Sequence, residues 1–262
     1  MISVIIPLYN AENTILAALD SVKNQEGNFD FEILVINDGS TDKSEILVRN
    51  FQKDNPDLKI ELINQKNGGV SVARNTGMKN SKENYIAFLD ADDVWLPQKT
   101  ERQLKFLINE NDKIDFITSL RNGEKIWFPY SISKNNLAKI TLCKLLLRIE
   151  GQTSTAIFKK KIIENTGFFD ENQKYSEDAN YWMRISKNNN MYILAEDLVF
   201  TGAGKKSYGE SGLSANLQEM EKGIQKNIKE MYVTKRINFM QYFFFLLFSK
   251  LKYVVRIFKN KL

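Results

Sequence analysis

The chain has 262 residues, 43% hydrophobic and 26% charged, which is enough to bury one sizeable core. It contains no histidine and one cysteine, Cys143. This excludes Ser-His-Asp and Cys-His catalysis, His-ligated metals, an internal disulfide and a cysteine-rich zinc site, and leaves carboxylates, Lys, Tyr or Cys as any general base.

The elements begin with a short β-branched strand, Ile2 to Asn10, ended by Pro7. Asn10 or Asn13 is placed to cap a helix with Ile15, Leu16, Leu19 and Val22 at helical spacing. A second strand, Phe31 to Ile36, closes in Asn37-Asp38-Gly39-Ser40-Thr41-Asp42. A helix through Ile46, Leu47 and Phe51 follows, then a third strand from Leu58 to Ile63. Strand and helix alternating in this way predict a parallel sheet with right-handed crossovers. Asp38 ends the second strand, where an acid either accepts hydrogen bonds from a nucleotide or bonds its own turn. The dinucleotide fingerprint G-x-G-x-x-G is absent after the first strand. The phosphate loop is absent too, since Gly204-Lys205 is followed by Lys206 and Val199 stands where its first glycine belongs.

Asn67 to Gly77 reads N-G-G-V-S-V-A-R-N-T-G. The glycine pair permits close backbone approach, and the helix from Val70, together with Arg74, suits an anion. Tyr85 to Leu89 then predicts a buried strand, and Asp90, Asp92 and Asp93 follow within four positions. Carboxylates that close repel one another. They settle in water or around a hard cation such as Mg²⁺ or Mn²⁺, or cap the next helix. In a parallel sheet they would lie at the C-terminal edge, where open α/β sheets bind ligands.

Trp95 and Pro97 start a helix, Lys99 to Asn109, predicted to turn Leu104, Leu107 and Ile108 inward. A strand from Asp115 to Ser119 and an irregular stretch from Leu120 to Ser133 follow. Asn135-Asn136 precede a helix through Leu142 and Leu147, with Cys143 in the core. Thr153 to Phe158 is predicted as a strand, and Lys159-Lys160-Lys161 as the solvated start of a short helix ending near Gly167. Ser176 is placed to cap a helix whose first turn carries Glu177 and Asp178. Trp182, one turn on, either forms an apolar wall for a ligand or packs in the core. After a strand ending at Val199-Phe200, residues 201–214 hold four glycines, Lys205 and Lys206. They predict either a flap that closes on a bound anion or a flexible surface loop.

The net charge of +5 is uneven. From Lys222 onward ten Lys or Arg face one acid, Glu230, so the rest of the chain is acidic on balance. Basic residues flank the aromatic run Tyr242 to Phe248, which predicts a helix lying on an anionic membrane surface, with packing against protein as the alternative. No signal peptide is read at the N-terminus, and no run of about 20 apolar residues predicts a spanning helix.

The motifs S-V-I-I-P-L-Y-N, N-D-G-S-T-D, N-G-G-V-S-V-A-R-N-T-G and F-L-D-A-D-D, in this order, resemble those of the inverting glycosyltransferases of family 2, non-processive bacterial type, with the GT-A fold. The resemblance is dense over the first 110 residues and thinner to about residue 215. It implies a GT-A domain over 1–215, with a donor nucleotide-binding half at 1–112 and an acceptor half at 113–215, followed by a helical tail at 216–262. It implies a nucleoside-diphosphate sugar as donor, UDP-linked in our reading. Pro7, Tyr9 and Asp38 would hold the nucleoside and Arg74 would lie near the nucleotide. Asp90 and Asp92 would form the D-x-D metal motif for Mn²⁺ or Mg²⁺, in which the last aspartate touches the metal and the first touches ribose or sugar. Asp178 would be the base and Glu177 its orienting neighbour.

The family's usual histidine near residues 201–214 is missing. Its role would pass to Lys205, Lys206 or Ser211. The processive Q-x-x-R-W motif is also missing, which favours transfer of one sugar per encounter. The expectation is therefore a metal-dependent transferase in cell-surface polysaccharide biosynthesis, cytoplasmic and peripheral at the inner membrane face. Its acceptor is a saccharide or lipid-linked glycan, it binds no nucleic acid, and it can oligomerise. A sugar nucleotidyltransferase and a non-catalytic nucleotide-sugar-binding module are the alternatives.

Overall fold

The computed structural model describes residues 1–109, 113–202 and 215–261, with side chains in the last helix as far as Phe258. Its centre is a mixed sheet flanked by helices. The strands β1 (Ile2–Leu8), β2 (Phe31–Asn37), β3 (Lys59–Asn64) and β4 (Tyr85–Phe88) form a parallel half in the order β3-β2-β1-β4. The crossovers are α1 (Ile15–Lys23), α2 (Ser44–Asp54) and α3 (Val70–Asn80). Central β1 is apolar on both faces, and Ile2, Val4, Ile5, Ile6 and Leu8 are fully buried, as a strand covered on both sides requires. Alternate side chains feed two cores: Ile5 and Phe88 on one side of the sheet, Val4, Ile6 and Ala87 on the other. Gly77 lets α3 lie directly on β1, because a Cβ there would come within 2.3 Å of Ile5.

Direction changes at β4. Its outer neighbour β8 (Ile157–Lys159) is antiparallel, and β6 (Phe116–Arg121), β9 (Met191–Phe200), β7 (Leu137–Ile140) and the two-residue β5 (Val94–Trp95) complete the same sheet. The α/β architecture expected from the sequence is present. Its sheet extends without a break across residue 112, with β6 joined to β4 through β8.

Several local expectations are corrected. Asn135-Asn136 lead into β7, and the helix α5 (Leu142–Leu147) starts only after it, capped by Thr141. Cys143 is exposed, because α5 turns Leu145 and Leu146 inward instead. Ile108 is also exposed, as α4 (Lys99–Ile108) buries Leu104, Leu107 and Gln103. Thr153–Thr155 form a 3₁₀ turn ahead of β8, so only the last part of the predicted strand is extended. Neither Asn10 nor Asn13 caps α1: Thr14 precedes it without a side-chain cap bond, and Asn10 Oδ1 accepts from Thr41 N at 2.9 Å. Ser176 precedes α7 (Glu177–Ile185) in a left-handed conformation, and its hydroxyl donates to Met220 O, so it is no helix cap. Trp182 is fully buried, donates to Gly151 O at 2.7 Å and meets Phe116 edge-on, which makes it a core residue.

The tail contains two helices, α8 (Leu217–Val233) and α9 (Phe239–Lys261). Helix α8 is locked to the body through Asn227. Its side chain accepts from Gln173 Nε2 at 2.8 Å and donates to Ser176 O at 2.9 Å. Helix α9 packs on α8 through Phe245 and through Ser249, which donates to Glu221. Among the described residues no helix is long and apolar enough to cross a membrane.

Candidate active site

The parallel strands deliver their ends to one edge. Pro7 pairs with Ile36, and Asp38 N donates to Leu8 O at 2.8 Å, so Pro7, Tyr9 and Asp38 stand side by side. Tyr9 is exposed, as a platform for a planar ring would be. Asp38 is buried and accepts from Gln65 Nε2 (2.7 Å), Gly68 N (2.9 Å) and Gly69 N (2.8 Å). Its carboxylate thus ties the loop before α3 to the end of β2.

The antiparallel partner of β4 supplies what the parallel half lacks. Because β8 runs the other way, its start faces the end of β4 and brings the 3₁₀ turn onto the acids. Asp90 N donates to Ser154 Oγ at 2.9 Å. Asp90 Oδ2 accepts from Thr153 Oγ1 at 2.9 Å and from Gln152 Nε2 at 3.2 Å. Asp93 is buried and accepts from Ser154 Oγ (2.5 Å), Gln152 Nε2 (2.9 Å) and Gly202 N (2.8 Å). Burial, then the charge of Asp90, pushes the Asp93 carboxyl up to about 7. Sequence reasoning missed Gln152, Thr153 and Ser154. The available signal is Thr153-Ser154-Thr155, three successive hydroxyl-bearing residues after Gly151-Gln152, whose composition reads as a strand.

Arg74 joins this edge to α7. It is buried beneath the site and donates to Asp90 Oδ1 at 2.8 Å, Glu177 Oε1 at 3.0 Å and Thr153 Oγ1 at 3.2 Å. Its guanidinium lies 5.5 Å from the Phe169 ring centre. Burial opposes its charge, but Asp90 and Glu177 outweigh that and keep it charged. The guanidinium is therefore a bracket between two acidic segments 87 positions apart in the chain.

Burial, then the neighbouring Asp178, pushes Glu177 up to about 7 against the pull of Arg74. Asp178 is half-buried and accepts from Ala179 N at 2.7 Å. Burial raises its pKa, Arg74 and the amide bond oppose this, and Asp90 adds to the rise. A carboxylate whose pKa is raised is the stronger proton acceptor once ionised. Asp92 is exposed at the edge, two positions from Asp90. Among the described residues no three acids converge as a ready-made metal cage. Two carboxylates beside an open edge still fit Mg²⁺ or Mn²⁺, which commonly take one or two carboxylates plus substrate phosphates. Lys205 and Lys206 lie outside the described residues.

Residues 3–167 match the family model for glycosyl transferase family 2. The chain belongs to this family. It is 31% identical to an Escherichia coli relative, UDP-Glc:alpha-D-GlcNAc-diphosphoundecaprenol beta-1,3-glucosyltransferase WfgD, over 82% of this chain and 80% of that one. Against five Rickettsia glycosyltransferases it is 30–34% identical but spans only 28–63% of their length. Solved structures share the fold. S. aureus TarS 1-349 in complex with UDP-GlcNAc gives a TM-score of 0.69 at 22% identity, covering 88% of this chain and 66% of that one. Mannosyltransferase PcManGT from Pyrobaculum calidifontis, in complex with GDP-Man and Mn²⁺, gives 0.69 at 18% identity, covering 90% and 64%. Family membership decides against the nucleotidyltransferase alternative.

Proposed function

We propose that the chain transfers one sugar, with inversion, from a UDP-sugar to a saccharide or lipid-linked glycan, in the making of a cell-surface polysaccharide. The observation that carries this reading is the double ion pair of Arg74. It joins Asp90, at the donor edge, to Glu177 beside Asp178. On this reading residues 1–112 hold the donor, with Tyr9 and Pro7 against the base, and residues 113–215 present the acceptor.

The acceptor hydroxyl attacks the anomeric carbon from the face opposite the diphosphate. Asp178 takes the hydroxyl proton, and the bonding electrons leave on the diphosphate oxygen. Glu177, fixed by Arg74, holds the start of α7 so that Asp178 faces the edge. Asp92 and Asp90 would hold a divalent cation, which supplies neutralisation of the diphosphate charge. The name of the Escherichia coli relative supports a lipid-linked acceptor, and the TarS complex supports a UDP donor. The basic, aromatic tail supports a position at the inner face of a membrane.

The test is transfer from a panel of UDP-sugars onto membrane extract, with Asp178→Asn in parallel. We expect kcat to fall about 10²- to 10⁴-fold with donor KM nearly unchanged. Full transfer by Asp178→Asn would refute the base assignment.

A further inference from the structure

Where α8 and α9 meet the segments after β6 and β7, the protein encloses a cavity of about 390 Å³ that the transfer step does not use. Its floor is apolar, with Leu145, Leu146, Met183, Ile224 and Ile228. Four cations line it: Arg121, Arg148, Lys252 and Arg256. Three carboxylates line it as well, and two of the four cations, Arg148 and Arg121, are paired with them. Glu150 is bonded to Arg148, Glu124 lies 3.6 Å from Arg121, and Glu221 accepts from Ser249 and Gln225. Lys252 points inward and donates to Leu147 O at 2.7 Å. Burial first, then the adjacent charges of Arg256 and Arg148, lowers its pKa to about 8. Cations crowded over an apolar floor gain from a multiply charged anion.

The rim is apolar on two sides. Phe128, 83% exposed, lines the cavity from the segment after β6, with Trp127 exposed next to it. On α9, Phe244, Leu247, Leu251, Val254, Val255 and Phe258 are exposed at one-, three- and four-residue steps, a continuous stripe away from the body. Packing within the chain does not account for this stripe. One short segment links the cavity to the acids. The cavity lining ends at Glu150, and Gln152, which bonds Asp90 and Asp93, is two residues on, at most about 8 Å between Cα atoms.

We propose that this cavity binds the phosphate or diphosphate headgroup of a lipid-linked acceptor, while the α9 stripe and Trp127-Phe128 sit in the membrane surface. The inference rests on the lipid-linked acceptor of the preceding reading. It adds the place that holds the headgroup and the face that meets the bilayer.

The full chain is sedimented with phosphatidylcholine vesicles that contain or lack a polyprenyl diphosphate. UDP binding is measured by calorimetry on the same preparations. Wild type should favour the diphosphate vesicles. Lys252→Gln/Arg256→Gln should lose that preference by about tenfold or more. Leu247→Ser/Leu251→Ser/Phe258→Ser should bind both vesicle types poorly. If the charge variant loses its melting transition, Arg256→Gln alone is compared with Arg256→Lys, and the lysine should restore the preference.

Equal binding of wild type to both vesicles, or an unchanged preference in a folded charge variant, would overturn the proposal. Inorganic pyrophosphate binding as tightly as the vesicles, with the same dependence on Lys252 and Arg256, would overturn the lipid part and assign the cavity to a soluble anion. Absence of UDP binding by wild type would sink the donor reading instead, and the vesicle comparison would still decide the cavity.

Discussion

Replacing Arg74 by Met keeps an unbranched apolar stem and removes the guanidinium that bridges Asp90 to Glu177. Breaking a buried ion pair from one side costs about 3–5 kcal/mol, because a carboxylate is left buried without its partner. Two features of this site reduce that. The Asp90 side chain is 25% exposed and keeps Thr153 and Gln152 as donors. Glu177, already pushed up to about 7, escapes by taking a proton. We expect a loss of about 3 kcal/mol, which for a chain of this size lowers the melting temperature by roughly 6–12 °C. The pH dependence gives the signature. Without Arg74 the folded pKa of Glu177 rises further above its ordinary 4.5, so the folded state binds the extra proton. Stability is then lost as pH rises from the unfolded value through the folded one. The deficit should be largest at about pH 8 and shrink toward about pH 5. The assay is thermal and urea unfolding followed by circular dichroism across that range. A variant that melts within about 2 °C of wild type at about pH 8, or whose deficit does not change with pH, would refute the bracket role.

The pH profile of kcat/KM should rise through an acid limb near about 7 that belongs to the Glu177–Asp178 pair, and Glu177→Gln should shift that limb to lower pH. Asp92→Asn should abolish the response to manganese, so that calorimetric UDP affinity becomes the same with and without the metal. Gly223→Ala puts a Cβ 2.3 Å from Tyr175 O, a backbone atom that cannot swing away. It should cost about 1–3 kcal/mol in urea unfolding by lifting α8 off the start of α7.

The parallel half was legible because each of its signals is local. β-branched runs bounded by Pro, Gly and Asn mark β1 and β2, and the acids after Phe88 mark the edge. The second half was harder because its signals depend on partners distant in the chain. Thr153-Ser154-Thr155 has the composition of a strand. It is bent into a 3₁₀ turn by Gln152, whose side chain accepts from Ser154 N, and by the acids that its hydroxyls meet. Cys143 and Ile108 look buried by helical spacing alone. They face outward because α5 and α4 each needed only a narrow apolar stripe. Glu177 and Asp178 could be found from the motif that carries them. That Arg74 grips Glu177 could not, since 103 positions separate the two residues.

The balance of charge at the edge narrows the chemistry further. Asp90, Glu177 and Asp178 gather around Arg74, whose guanidinium is already shared between two of them, and Asp92 and Asp93 follow Asp90 at the same edge. Protonation relieves part of this, because Glu177 and Asp93 are both pushed up to about 7, yet the remaining field still repels a diphosphate. A UDP-sugar arriving alone would add like charge to an acidic cleft. On the proposed reading, a donor arriving with a divalent cation would bring the missing positive charge to Asp92, which is exposed. The same cation would favour the ionised form of its carboxylate ligands. Asp178, an acid raised by burial, would then be the group left to take a proton. On the proposed reading, exposure separates two roles among similar side chains: the open acid would meet the metal, and the half-buried acid would serve as the base.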